Sequence, residues 1–292
     1  MEKLIIEARI NEYAMRGRNT KVPWSPTEIA KDAAECREAG AAIVHFHARD
    51  ENGGPSHDAE TYGDCIAGIR AASNILVHPT LGFVTLDAPA EERIASVVAL
   101  AHDAERRPDF APMDMGSTNV DRYDPKRGGF RTTDLVYRNS TETLHHFADA
   151  ISGAGLKPYL VSWNIAFTRQ ALAFLELGWV ARPAFMLFVL TEGGILAGHP
   201  GTAAGLDAHL GQLPDDPGLL WSVCIHGGGM LELVDKIIEA GGHIAIGLGD
   251  YHYAEEGCPS NADLVARVAA RARALGREIA SPEDTRAMLS MS

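Results

Sequence analysis

A chain of 292 residues exceeds a minimal domain and has the length of one large α/β barrel or of two ordinary domains. With 46% apolar and 22% charged residues it can bury a large core, which excludes a disordered or low-complexity protein. The 39 acidic residues outnumber 26 Lys plus Arg for a formal charge of -13, so neither nucleic acid nor an anionic membrane surface is an expected partner.

The first residues, Met1-Glu2-Lys3-Leu4-Ile5-Ile6-Glu7, carry acids that break a signal-peptide core, and no apolar run approaches the roughly 20 residues that span a bilayer. Cys36, Cys65, Cys224 and Cys258 are scattered without metal or disulfide spacing, so a cytoplasmic location is expected.

In chain order, β-rich runs fall at 4–10, 42–47, 75–79, 110–114, 158–162, 184–190, 220–224 and 243–247, with helix-compatible segments between them. Ser25-Pro26-Thr27-Glu28 combines an N-cap, a first-turn proline and a capping-box glutamate, and predicts a helix that ends near Gly40. The same helix-then-glycine pattern recurs at Gly155 and Gly241. Eight strand and helix alternations without a linker predict a single (β/α)₈ TIM barrel over 1–292, with a doubly wound sheet plus subdomain as the alternative. A long loop over about 116–139 follows the fourth strand, and a helical extension covers about 281–292.

The sharpest chemical signal is Ile43-Val44-His45-Phe46-His47-Ala48-Arg49-Asp50. Alternation along a strand puts His45 and His47 on one side and Phe46 on the other, so two imidazoles can share one metal at the C-terminal rim of a barrel. Glu7, Glu12, His78, His226 and Asp250 are available from other strand ends to complete the site. Imidazole with carboxylate suits Zn²⁺, with Mn²⁺ or Fe²⁺ as alternatives. Asp250, just past the last strand, is placed to act on a substrate held at the metal.

Glycines at 227–229, 247 and 249 suit a phosphate of the substrate or cofactor; Gly228 and Gly249 are the binding candidates. Thr80, Gly82, Ser117 and Asn119 lie just beyond the third and fourth strands and offer polar groups to a substrate. Cys224 reads as a packed strand residue, and His145 with His146 diverge around a helix too far to share a metal.

Four ordered segments resemble the β-keto acid cleavage enzyme family: residues 38–50, Met115-Gly116-Ser117-Thr118-Asn119, 241–250 ending in Gly247-Leu248-Gly249-Asp250, and Ser260-Asn261-Ala262-Asp263-Leu264-Val265. The resemblance runs from Leu4 to Glu283. It implies a zinc-dependent barrel, usually tetrameric, that converts a β-keto acid and acetyl-CoA into acetoacetate and a new acyl-CoA. It further implies zinc ligation by His45 and His47, a catalytic Asp250 and a substrate-binding hydroxyl on Thr80.

The family's third ligand, a glutamate, aligns with Gly249, an arginine aligns with Ala245, and a catalytic glutamate after the first strand aligns with Ala14. Glu12 is then the expected acid/base, with His226, Glu7 or Asp250 completing the zinc shell and Arg9 or Arg49 pairing with the substrate carboxylate. A metal hydrolase of a small amide or ester, or a catalytically degenerate anion-binding barrel, are the competing expectations.

Overall fold

The computed structural model describes residues 2–81 and 88–291; Gly82 lies outside them. Among the described residues eight parallel strands form one sheet. They are β1 (Ile6–Arg9), β2 (Ile43–Phe46), β3 (Leu76–Pro79), β4 (Phe110–Asp114), β5 (Lys157–Ser162), β6 (Ala184–Thr191), β7 (Leu219–His226) and β8 (His243–Ile246). Their order is β3, β2, β1, β8, β7, β6, β5, β4, so the first and last strands pair and sequence neighbours are sheet neighbours. Helices α1 (Pro26–Ala39), α2 (Ala59–Ala72), α3 (Ala90–Leu100), α4 (Thr141–Gly153), α5 (Ile165–Glu176), α6 (Ala203–Leu210), α7 (Val234–Glu239) and α8 (Asn261–Ala274) follow the strands in turn, and α9 (Pro282–Met288) comes last. This is the expected eightfold alternation, and each expected strand is present.

The barrel is nearly closed. No ladder joins β3 to β4, yet Asp109 bridges the gap: its backbone N–H donates to the Val77 carbonyl at 2.9 Å, and its Oδ2 accepts from the Val77 N–H at 2.7 Å. The same carboxylate pairs with Arg70 and Arg286. Removing it orphans the buried Val77 N–H and takes one carboxylate from Arg70 and Arg286. Asp109→Ala is therefore expected to lower unfolding stability by about 2–3 kcal/mol in a urea titration. A loss under about 0.5 kcal/mol would show that the seam holds without it.

Local chemistry sets the helix ends as expected. Ser25 and Glu28 form the reciprocal capping box of α1, with Pro26 in its first turn, and Ser260 with Asp263 does the same for α8. Asn261, the first residue of α8, donates to the Ile10 carbonyl and accepts from the Leu248 N–H at 2.7 Å, tying the ends of β1 and β8 together.

The segment 116–139, expected as a loop, is a nested ribbon. Thr118–Asn119 pairs with Val136–Tyr137, and Tyr123–Asp124 with Gly129–Phe130, both antiparallel. Two-residue strands within a segment rich in Asp, Arg and Gly carry too little alternation to be read from sequence. The ribbon docks on the segment after β6: Tyr123 N–H donates to the Gly194 carbonyl at 2.7 Å, and Arg122 bridges Ile195. A Cβ on Gly194 would lie 2.1 Å from the Tyr123 carbonyl oxygen, so only glycine permits this approach.

Barrel strands β1, β2, β3 and β8 are buried at every position, as a parallel sheet covered by helices requires. Glu7, Arg9, His45 and His78 are thus buried polar groups inside otherwise apolar strands. Such groups need partners.

Candidate active site

The site lies at the C-terminal ends of the strands and opens on a cavity of about 660 Å³, within the range of small-molecule sites. His45 and His47 point to one side of β2 as alternation demands, with ring centroids 5.2 Å apart. Glu12 closes the pair. Its Oε1 is 3.0 Å from His45 Nε2, and its Oε2 is 2.7 Å from His47 Nε2.

The chain reaches this arrangement through a turn that sequence patterns do not encode. Glu12 sits in the left-handed region at φ 36, a conformation that costs a non-glycine residue about 1–2 kcal/mol. Arg49 offsets that cost by donating to the carbonyls of Asn11, Glu12, Ala14 and Gly53. Asn11 adds two more ties, accepting from His47 N–H at 2.8 Å and donating to the His47 carbonyl at 2.9 Å.

Gly249 provides the space. A Cβ there would lie 2.5 Å from Glu12 Cγ and 2.9 Å from the Arg9 carbonyl oxygen. The missing side chain at residue 249 is thus what admits Glu12.

The electrostatics leave a deficit of positive charge. Arg9 bridges Glu12 (Nη2 to Oε1, 2.7 Å) and Asp250 (Nε to Oδ2, 2.8 Å). Glu7, Glu12 and Asp250 against Arg9 and Arg49 leave a buried formal charge of about -1 before any imidazole proton, which a bound cation would offset. Burial works against ionised Glu12, but Arg9, His45 and His47 outweigh it and hold the carboxyl well below its usual range. Burial depresses His47 to about 4, so its imidazole is neutral near pH 7 and competent as a ligand.

Hydrogen bonding gives the same indication. His45 Nδ1 lies 2.9 Å from the His78 carbonyl oxygen, which only accepts. Nδ1 therefore carries a proton, and Nε2 is the ring nitrogen that faces Glu12. His47 Nδ1 is buried without a hydrogen-bond partner. The carboxylate oxygens and the two Nε2 atoms supply three ligands whose donor atoms lie within 4.8 Å of one another. The residues fit a metal of the zinc type, held by two imidazoles and one carboxylate with a position left for substrate. The carbonyl that orients His45 is the outer partner such a site requires.

A second cluster, Glu7, His45 and His78, also meets the distance criterion for a metal. Its carboxylate is already engaged: His78 Nδ1 lies 2.7 Å from Glu7 Oε1, and Tyr159 donates to Oε2 at 2.5 Å. Glu7 supports His78 from beneath, and His78 itself lines the cavity, with burial lowering its pKa to about 4.

The other expected residues fall as follows. Asp250 does not line the cavity; it stands behind Arg9 and His226, whose Nδ1 lies 3.2 Å from Asp250 Oδ1. His226 does face the cavity, as does Thr80. Glu12, expected as acid/base, lies between the two imidazoles. Arg49, expected at substrate, is engaged with backbone carbonyls. Gly228 and Gly249, expected at phosphate, do not line the cavity, and a Cβ on Gly228 would meet the Glu192 side chain at 2.8 Å. Ser117 accepts from the Asn139 N–H at 2.9 Å, and Asn119 belongs to the ribbon ladder; neither lines the cavity. Cys224 is buried, and all four cysteines are free. Among the described residues no helix is long and apolar enough to cross a membrane.

Sequence reasoning missed the opposite wall. Asp114 ends β4 with its carboxylate accepting from Tyr137 Oη at 2.8 Å and from Trp163 Nε1 at 2.6 Å. Burial raises its pKa against those two donors. Its place at a strand's C-terminal end was the available signal. Tyr137, Trp163, Tyr13 and Arg122 complete the lining with aliphatic residues of β5, β6 and the ribbon.

An eight-stranded parallel barrel with a buried imidazole and carboxylate cluster at its C-terminal mouth is the architecture of a barrel enzyme. Residues 3–291 match the model of the beta-keto acid cleavage enzyme family, and the chain belongs to that family. It is 29% identical to the 3-keto-5-aminohexanoate cleavage enzyme of Fusobacterium nucleatum, over 100% of this chain and 99% of that protein. It is 26% identical to the 3-dehydrocarnitine:acetyl-CoA trimethylamine transferase of Rhizobium meliloti, over 94% of this chain and 92% of the relative. Among solved structures, the ternary complex of ObcA with a C4-CoA adduct and oxalate superposes with a TM-score of 0.73 at 16% identity, covering 92% of this chain and 67% of that one. That likeness is one of fold.

Proposed function

We propose that the protein exchanges acyl groups between a β-keto acid and acetyl-CoA with Zn²⁺ at Glu12, His45 and His47, giving acetoacetate and a new acyl-CoA. In that exchange the bond between C2 and C3 of the keto acid breaks, C2 joins the acetyl carbon, and the released acyl group passes to the CoA sulfur. The observation that carries the reading is the convergence of one carboxylate and two imidazoles beside the cavity.

When bound, the metal supplies Lewis-acid polarisation of the keto carbonyl. The chain's own residues do the rest. His226 faces the cavity with Asp250 behind Nδ1, which sets the imidazole's tautomer and leaves Nε2 to hold or move a proton at the substrate. Arg9 holds Glu12 and Asp250 at fixed separation, and Thr80 offers a hydroxyl at the rim. The apolar wall of Val120, Leu135, Val161, Leu187, Val189 and Ile195 excludes water from the acyl chain. A cytoplasmic homo-oligomer, a tetramer, is part of the same reading; exposed Tyr123, Phe130 and Val136 on the ribbon give it an apolar surface to cover.

Metal analysis coupled to a substrate panel tests the reading. The purified protein is expected to carry roughly one zinc per chain, to turn over β-keto acids only with acetyl-CoA, and to lose metal and turnover together in His45→Ala/His47→Ala. Hydrolysis of amides or esters without CoA, or no exchange by metal-loaded protein across the panel, overturns it.

A further inference from the structure

The cavity wall holds two guanidinium groups, Arg9 and Arg122. Arg9 is neutralised between Glu12 and Asp250. Arg122 has no carboxylate partner among the described residues, in a chain whose formal charge is -13. Its position is built. The Arg122 carbonyl accepts from Arg131 N–H at 2.9 Å, the next residue's N–H donates to Gly194, and the side-chain stem lies 3.4 Å from where a Gly194 Cβ would be. The ribbon that carries it holds five basic residues (Arg122, Lys126, Arg127, Arg131, Arg138) and three acidic ones (Asp121, Asp124, Asp134). Its local sign is therefore opposite to that of the whole protein.

The topology fixes where this cation acts. Arg122 docks on the segment after β6, and β6 stands four strands from β2 in an eight-strand order, so it lies across the mouth from His45 and His47. Aliphatic side chains next to Arg122, Val120, Leu135 and Ile195, line the same cavity. A cation beside an apolar wall and remote from the cluster suits an extended molecule with an anionic group at its far end.

We propose that Arg122 is a specificity-determining residue that receives an anionic oxygen group distal to the reacting centre. The inference rests on the reading of this cavity as the substrate site. Two sources carry that chemistry: the terminal carboxylate of an oxo-diacid, and a phosphate of CoA.

Calorimetric titration of wild-type, Arg122→Gln and Arg122→Lys proteins with CoA, adipate and hexanoate separates them, with melting curves confirming folded variants. Adipate and hexanoate match in length and differ by one carboxylate. Wild type is expected to bind at least one anionic probe, and Arg122→Gln to weaken it on the order of tenfold to a hundredfold, with partial rescue by lysine. Loss of the preference for adipate over hexanoate assigns the group to a diacid; selective weakening of CoA assigns it to a phosphate. Equal binding by wild type and Arg122→Gln, no binding of any probe by wild type, or an equal loss in Arg131→Gln, a surface change on the same ribbon, overturns the proposal. Because the readout is binding, a protein that keeps the Arg122 effect without acyl exchange refutes the reaction alone. Acyl exchange without the effect refutes Arg122 alone.

Discussion

Glu12→Gln is expected to release the metal. Glutamine keeps the shape and removes the charge that faces two imidazoles, and even outer partners of a metal site are worth about 10–100-fold in affinity. Loss of a direct ligand should exceed a hundredfold, read by competition with a chromogenic chelator, and turnover should fall with it. Gly249→Ala tests the same atom by another route. The new Cβ would stand 2.5 Å from Glu12 Cγ and 2.8 Å from its backbone N, so the carboxylate must leave the imidazoles or the turn must shift. Metal affinity is expected to fall in each single variant, and the double variant Glu12→Gln/Gly249→Ala to bind little worse than Glu12→Gln alone. Full metal occupancy in Glu12→Gln would remove the carboxylate from the ligand set.

The second large effect is expected at Asp250. Asp250→Asn retains the shape of the side chain but can present an N–H to His226 Nδ1, 3.2 Å away. That would favour the opposite tautomer and direct a proton at Nε2 rather than a lone pair. Loss of positioned acid/base function costs about 10²–10⁴ in rate. The expected result is a fall of that size in kcat at nearly unchanged metal content and KM for the keto acid. A fall in metal content of the same order would instead make Asp250 a support for Glu12 through Arg9, which it also contacts at 2.8 Å.

Much of this architecture was legible because the signals were local. Continuous apolar runs with capping residues between them place all eight strands, and alternation alone puts His45 and His47 side by side. The completion of the site was not local. Glu12 reaches the imidazoles because its backbone turns left-handed, because Arg49 clamps the carbonyls of that turn, and because residue 249 has no side chain. None of these is a periodicity. Gly249 reads as a lost ligand in alignment and as vacated room in three dimensions. His78 looked equivalent to His45 in sequence, since both are histidines at strand ends, but Glu7 engages its Nδ1 below the mouth. Asp250 was expected to face substrate, and the difference is one of depth: Arg9 and His226 stand in front of it.

The charged cluster and the apolar wall occupy different halves of the cylinder. Arg9, Glu12, His45, His47, His78, His226 and Asp250 come from β1, β2, β3, β7 and β8 or the turns just after them, which are contiguous in the sheet. Asp114, Val161, Trp163, Leu187, Val189 and the docked ribbon belong to β4, β5, β6 and their connections. Reactivity and recognition are therefore separable in inheritance. On the proposed function, substitutions that refit the wall to a different acyl chain would leave the imidazole and carboxylate half untouched, so one reactive apparatus could be passed down while the acids it accepts diverge.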